Sequence, residues 1–108
     1  MITEFYTKDQ TLTAPDGTLY TNNEGAGWKV YSQTARGQFY QHQTIHFIAN
    51  RHMAGWQYFK WGDDYYTSGS CWVNKGIFKP DYSGLHTDCT DLMKELNYNI
   101  YQVLDYYY

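Results

Sequence analysis

Residues 55–66 read Gly55-Trp56-Gln57-Tyr58-Phe59-Lys60-Trp61-Gly62-Asp63-Asp64-Tyr65-Tyr66. Trp56 to Trp61 has the aromatic content of a β-strand, with Trp56 and Tyr58 on one face and Phe59 and Trp61 on the other. Gly62-Asp63-Asp64 reads as a hairpin turn, and Tyr65-Tyr66-Thr67 as the returning strand. Phe has no polar tip to satisfy, so Phe59 and Trp61 are expected to point inward. Trp56 and Tyr58 are then expected to stand outward beside Arg51 and Tyr66 as a ledge of rings.

The same strand-and-turn pattern continues on both sides. Downstream, Ser68-Gly69-Ser70 bends the chain, Cys71-Trp72-Val73 is a short strand, and Asn74-Lys75-Gly76 turns into Ile77-Phe78. Upstream, His52-Met53-Ala54-Gly55 is a turn. Thr44 to Ala49 alternates, with Ile45, Phe47 and Ala49 on one face. Residues 39–49 also admit a short helix, but β-branched content and flanking glycines favour a strand. Trp28-Lys29-Val30-Tyr31 is a further strand, preceded by a loop from Asn22 to Gly27. Ala14-Pro15-Asp16-Gly17 is a tight turn leading into Thr18-Leu19-Tyr20. Five or six such strands, punctuated by glycines, predict a small barrel or curled antiparallel sheet over residues 9–79.

The last element differs. Leu92, Met93, Leu96, Ile100, Val103 and Leu104 recur at three- and four-residue intervals, which predicts one amphipathic helix over about 88–105. Asp88 suits its N-cap and Asp91 the positive end of its dipole. Tyr106-Tyr107-Tyr108 is either a frayed end or a set of rings tucked against the domain.

With 108 residues the chain has one domain's length, 1–108. Aromatics make up 20%, including 13 Tyr, so some rings are expected at the surface. The net charge of −3 argues against direct nucleic-acid binding. Acidic residues cluster at the two ends and basic ones in the middle, from Lys29 to Lys79. Either acidic ends pack beside a basic middle, or the ends supply an acidic face. The sequence starts without a basic, apolar leader and has no membrane-spanning stretch, so cytoplasmic synthesis is expected, with release only by lysis or another route. Cys71 and Cys89 are then expected as free thiols.

Catalytic patterns are weak. Metal sites need three or four converging ligands. His42 and His46 could share an ion on a helix, but on a strand they lie roughly 13 Å apart. His86-x-x-Cys89 has pair-like spacing with no second pair to complete it. Ser68-Gly69-Ser70-Cys71 is not a nucleophile elbow. Cys89 near a helix start admits a lowered pKa, though packing as a small residue is the commoner role. Gly25-x-Gly27 precedes a strand and so makes no phosphate cradle. No enzyme, no metal and no cofactor is expected; the sequence points to a binding module.

Residues 55–66 resemble the closing hairpin of bacterial Src-homology-3-like cell-wall-binding domains, including the wall-anchoring module of surface-layer proteins. The likeness lies in Gly55, the aromatic pair Tyr58-Phe59, Lys60 with Trp61, the Gly62 turn and the aromatic-led Tyr65-Tyr66 strand. It extends loosely over residues 10–73. The resemblance implies a small barrel; joined to the helix read from periodicity, the expected fold is α+β, mostly β: a small Src-homology-3-like barrel or curled antiparallel sheet with one C-terminal helix. It also implies a groove for a cell-envelope glycan or peptide, with Trp56, Tyr58, Lys60, Asp63, Asp64, Tyr66 and Arg51 as binding residues. The alternative is a small phage or mobile-element inhibitor whose acidic ends block a host protein such as a defence nuclease.

Overall fold

The structure, a computed structural model, describes residues 1–14, 16–22, 27–67, 70–80 and 82–108. Pro15 of the expected tight turn, residues 23–26 of the expected loop, Ser68 and Gly69 of the expected bend, and Asp81 lie outside the described residues. The chain opens with strands β1 (Ile2–Phe5) and β2 (Thr7–Asp9), then β3 (Trp28–Val30). Helix α1 (Gln33–Ala49), β4 (Trp56–Tyr58), β5 (Asp64–Tyr66), β6 (Cys71–Val73), α2 (Thr87–Tyr98) and α3 (Ile100–Tyr107) follow.

The α+β class holds, with more helix than expected. The described strands form three two-stranded sheets and no closed barrel: β1 with β4 and β2 with β3, both parallel, and β5 with β6 antiparallel. Parallel partners need a crossover, and α1 supplies it between β1 and β4.

Residues 44–49 are the last turns of α1, which corrects the strand reading. Ser32 accepts the Ala35 N–H at 3.0 Å and caps the helix start. Arg36, Gly37, Tyr40, Thr44 and Ile48 are buried at helical spacing. Two of these five are polar, so the buried stripe was hidden from an apolar count. Six residues are also too few to separate alternation from a 3.6-residue period.

Strand Trp56 to Trp61 is shorter than expected, and it forms no hairpin with residues 64–66. Beyond Phe59, whose N–H reaches Phe5 O at 3.2 Å, the backbone turns to residues 75–78. Lys60 donates to Lys75 O at 3.3 Å, and Ile77 and Phe78 donate to Trp61 O at 3.0 and 2.9 Å. β5 pairs instead with β6 in the register Asp64 with Val73 and Tyr66 with Cys71.

The expected inside and outside of this strand hold only in part: Phe59 is half-buried, but Trp61 does not point inward and Trp56 and Tyr58 do not stand free. Trp61 is 65% exposed, whereas Trp56 and Tyr58 are half-buried against α1. Phe5 stands at the centre of that packing, with ring centroids 5.8 Å from Tyr40, 5.2 Å from Phe47 and 5.6 Å from Tyr58. Two side chains decide the choice: Trp56 Nε1 donates to the Tyr40 hydroxyl at 3.3 Å, and the Tyr58 hydroxyl accepts from Arg36. The polar tips find partners inside, so an apolar Phe has no prior claim on the core.

The C-terminal helical stripe is present, but as two helices. α2 and α3 meet at Asn99, whose side-chain amide donates to Glu95 O at 2.8 Å. The N-cap position of α2 is His86, and Asp88 lies in its first turn. Leu96 is buried, and Leu92, Met93, Ile100, Val103 and Leu104 are half-buried. The terminal tyrosines are exposed, although the Tyr108 hydroxyl donates to Ile48 O at 2.8 Å. No helix among the described residues is long and apolar enough to cross a membrane.

Candidate functional site

β1 and β4 run parallel, so their carboxyl ends face the same way. Residues 6–32 follow β1 and residues 59–86 follow β4. The two segments interlock over a buried polar network at the start of α1.

Arg36, in the first turns of α1, is fully buried. Its Nε donates to Thr7 O at 2.9 Å and its Nη1 to Gln33 Oε1 at 2.8 Å. Its Nη2 donates to the Tyr58 hydroxyl at 2.7 Å, Gly76 O at 2.8 Å and Lys75 O at 3.2 Å. These acceptors are neutral. Burial raises the pKa of the Tyr58 phenol against the opposing pull of the Arg36 charge, so Tyr58 stays protonated. A cation held this way pins four stretches of chain in one geometry.

Asp63 is the second hub, with its side chain wholly buried. One carboxylate oxygen accepts from Asn74 Nδ2 at 2.8 Å and Gly76 N at 2.9 Å. The other accepts from the Tyr20 hydroxyl at 2.8 Å and lies 2.9 Å from His86 Nε2. Burial and then the Asp63 charge raise the Tyr20 pKa far above the ordinary phenol range. Asn74 links this hub to the first: its Oδ1 accepts from Asp9 N at 3.2 Å and Gln33 Nε2 at 2.9 Å. Asn22 closes the ring, accepting from Asn74 N at 2.8 Å and donating to Asp9 O. A Cβ at Gly76 would sit 2.2 Å from the Gly62 carbonyl carbon, so only glycine lets residues 62 and 76 approach this closely.

Two lysines border the network. Lys60 pairs with Asp64. Lys75 donates to the Tyr66 hydroxyl at 2.7 Å and lies over the Tyr6 and Tyr66 rings at 5.4 and 4.9 Å. Burial disfavours the Lys75 charge, but the Tyr66 hydroxyl, the two phenols and Asp64 outweigh it and raise its pKa.

Above the network, aromatic rings face outward. Trp61 lies 4.9 Å from Phe78, which lies 6.2 Å from Tyr82. Trp61 and Tyr82 are 65% and 67% exposed. Trp28 of β3, Tyr65 of β5 and Tyr31 are also exposed. Flat rings beside solvent, fixed from beneath by buried hydrogen bonds, can stack on a planar or weakly polar ligand.

Of the residues expected to bind, Tyr58, Lys60, Asp63, Asp64 and Tyr66 gather at the carboxyl end of β4. Tyr58 and Asp63 are structural hubs there, and Lys60, Asp64 and Tyr66 have partners within the protein. Trp56 and Arg51 lie away from them, lining a cavity of about 480 Å³ with Phe47, Ile100, Leu104 and Tyr108. Sequence reasoning missed Arg36, Asp9, Asn22, Asn74 and Tyr20. No spacing rule flags them, because their partners are up to 65 residues away. His86 was noticed only as half of a metal-like pair. Cys89, the other half, is buried, and desolvation raises its thiol pKa despite the nearby Arg36. Among the described residues no three His, Cys, Asp or Glu side chains converge as metal ligands.

These features define a small α+β unit: a parallel β1–α1–β4 crossover whose carboxyl-end loops carry an aromatic surface on a buried polar frame. No protein-family model and no curated protein matches the chain. Among solved structures it is similar to BpGH50, a glycoside hydrolase, at 36% identity with a TM-score of 0.81. That match covers 99% of this chain and 21% of the BpGH50 chain, so the present sequence spans about a fifth of the hydrolase.

Proposed function

We propose that the chain supplies part of a carbohydrate-recognition surface, with the exposed rings of Trp61 and Tyr82 on either side of the half-buried Phe78 as its stacking platform. The observation that carries this reading is the 36% identity to BpGH50 over nearly the whole chain. The exposed rings support it, since aromatic faces offer sugars an apolar plane with little entropy to lose. The platform moves from the Trp56 ledge to Trp61 because Trp56 is committed to α1.

The role proposed for the chain by itself is binding. Glycoside hydrolysis generally needs two carboxyl groups flanking the scissile bond. Asp9, Asp63 and Asp64 beside this surface are engaged by structural partners. Affinity electrophoresis through gels containing a panel of neutral and acidic polysaccharides tests the proposal. At least one polysaccharide should retard the protein. Trp61→Ala should abolish retardation while leaving stability within about 1 kcal/mol, as for an exposed side chain. Trp56→Ala should leave retardation intact but cost about 2 kcal/mol for a half-buried indole. Retardation by no polysaccharide, or retardation indifferent to Trp61, overturns the reading. Release of reducing sugar by the chain alone overturns its non-catalytic part.

A further inference from the structure

α1 places two histidines together that a strand would separate. His42 and His46 are one helical turn apart and both exposed. They lie on the opposite side of the helix from the buried Arg36, Tyr40, Thr44 and Ile48. Their Nε2 atoms face each other at 2.8 Å, with ring centroids 4.7 Å apart. In the metal-free protein one ring donates its N–H to the other's lone pair, as this distance allows. Rotation of the two rings aims both Nε2 lone pairs at one ion, because residues four apart on a helix are neighbours on its surface.

We propose that His42 and His46 form a two-histidine chelating site for a divalent transition-metal ion, Cu2+ or Ni2+ in preference to Zn2+. Affinity of nitrogen sites for divalent ions rises to Cu2+ and falls again at Zn2+, and tetragonal or octahedral ions readily keep water in the positions that two histidines leave. Exposure of both rings lets water fill the remaining positions, so two protein ligands suffice. Both ligands sit on one rigid helix, so little order has to be imposed on binding. The ion clamps adjacent turns of α1 near its C-terminal end. The site does not depend on the carbohydrate reading.

The test is calorimetric titration of the metal-free protein with Ni2+ and with Cu2+, alongside thermal unfolding with and without Ni2+. One ion should bind per chain, with Cu2+ tighter than Ni2+. Ni2+ should raise the Tm, because the native helix binds it and the unfolded chain loses the geometry. His42→Ala and His46→Ala should each weaken Ni2+ binding at least tenfold and remove the Tm rise. Circular dichroism should show the helix content of both variants unchanged. His52→Ala, a control on the exposed histidine just beyond α1, should behave as wild type. No binding, binding unchanged by His42→Ala or His46→Ala, or loss of binding on His52→Ala overturns the proposal. Zn2+ bound more tightly than Ni2+ overturns the metal preference.

Discussion

Arg36 donates into β2, its own helix, β4 and the 75–76 loop, and that reach decides what its removal does. Arg36→Met leaves Thr7 O, Gly76 O, the Gln33 amide and the Tyr58 hydroxyl buried without their donor. The expected loss is at least about 3 kcal/mol in urea unfolding. Arg36→Lys should recover little of it, since an ammonium lacks the planar fork that serves several acceptors at once. A wild-type midpoint in either variant would show that the network does not hold the loops. Cys89 makes a pH-dependent prediction. Burial raises its thiol pKa above the ordinary 9.0, so from about pH 9 up to that raised pKa the folded chain keeps a proton that the unfolded chain releases. The unfolded state then binds fewer protons, and stability falls as pH rises. Tyr20 and Tyr58, also raised, act in the same direction from about pH 10 upward, while Lys8, lowered by burial and then by Lys29 and Lys75, acts oppositely. Urea midpoints at pH 8 and pH 9.8 should converge for the wild type and Cys89→Ala as pH rises. Parallel behaviour would rule Cys89 out.

α1 and α2 cross at Gly37, and the closeness of that crossing is set by the missing side chain. A Cβ there would lie 2.8 Å from both the Cys89 carbonyl oxygen and Leu92 Cβ. On an exposed helix Gly→Ala stabilises by up to about 1 kcal/mol. At Gly37 the helices must separate, so Gly37→Ala should lower stability by about 2 kcal/mol. A higher Tm in a thermal melt would show that the crossing is loose. The apolar stripe of α2 and α3 was legible because its period runs over 13 residues of ordinary hydrophobic side chains. α1 was not, because its buried face carries an arginine and a threonine whose partners lie on other elements. The Trp56 strand was legible as a strand but not in its pairing: β4 joins β1, more than 50 residues earlier, rather than the nearby β5.

The molecule is elongated, 47 Å by 23 Å by 21 Å, with a radius of gyration of 14.7 Å. A compact domain of this length has about 13 Å. Its interior relies heavily on polar side chains: Lys8, Asp9, Asn22, Arg36, Asn74, Lys75 and His86 are buried beside Tyr20, Tyr40, Val73 and Leu96. A network of this kind links the loop segments to both helix starts, so they should unfold together. Far-UV circular dichroism, reporting α1 to α3, and tryptophan fluorescence, reporting Trp56 and Trp72, should give coincident urea transitions. Separate midpoints would show that the 59–86 loop unfolds independently of the helices.

The sequence by itself determined the α+β class, the C-terminal helical stripe, the presence though not the bounds of strands read at residues 28–31, 56–61, 65–67 and 71–73, and an abundance of surface rings. These follow from local periods and from side-chain chemistry, which any short window of the chain displays. Only the tertiary structure decided which strands pair, which aromatic residues face outward and which polar residues are buried. A strand's partner, and the acceptor that lets an arginine or a tyrosine enter the core, are supplied by residues far away in the chain. Tyr58 turns inward because Arg36, 22 residues upstream, reaches its hydroxyl, while Trp61 lies beyond the strand's end, where the backbone pairs with residues 77 and 78.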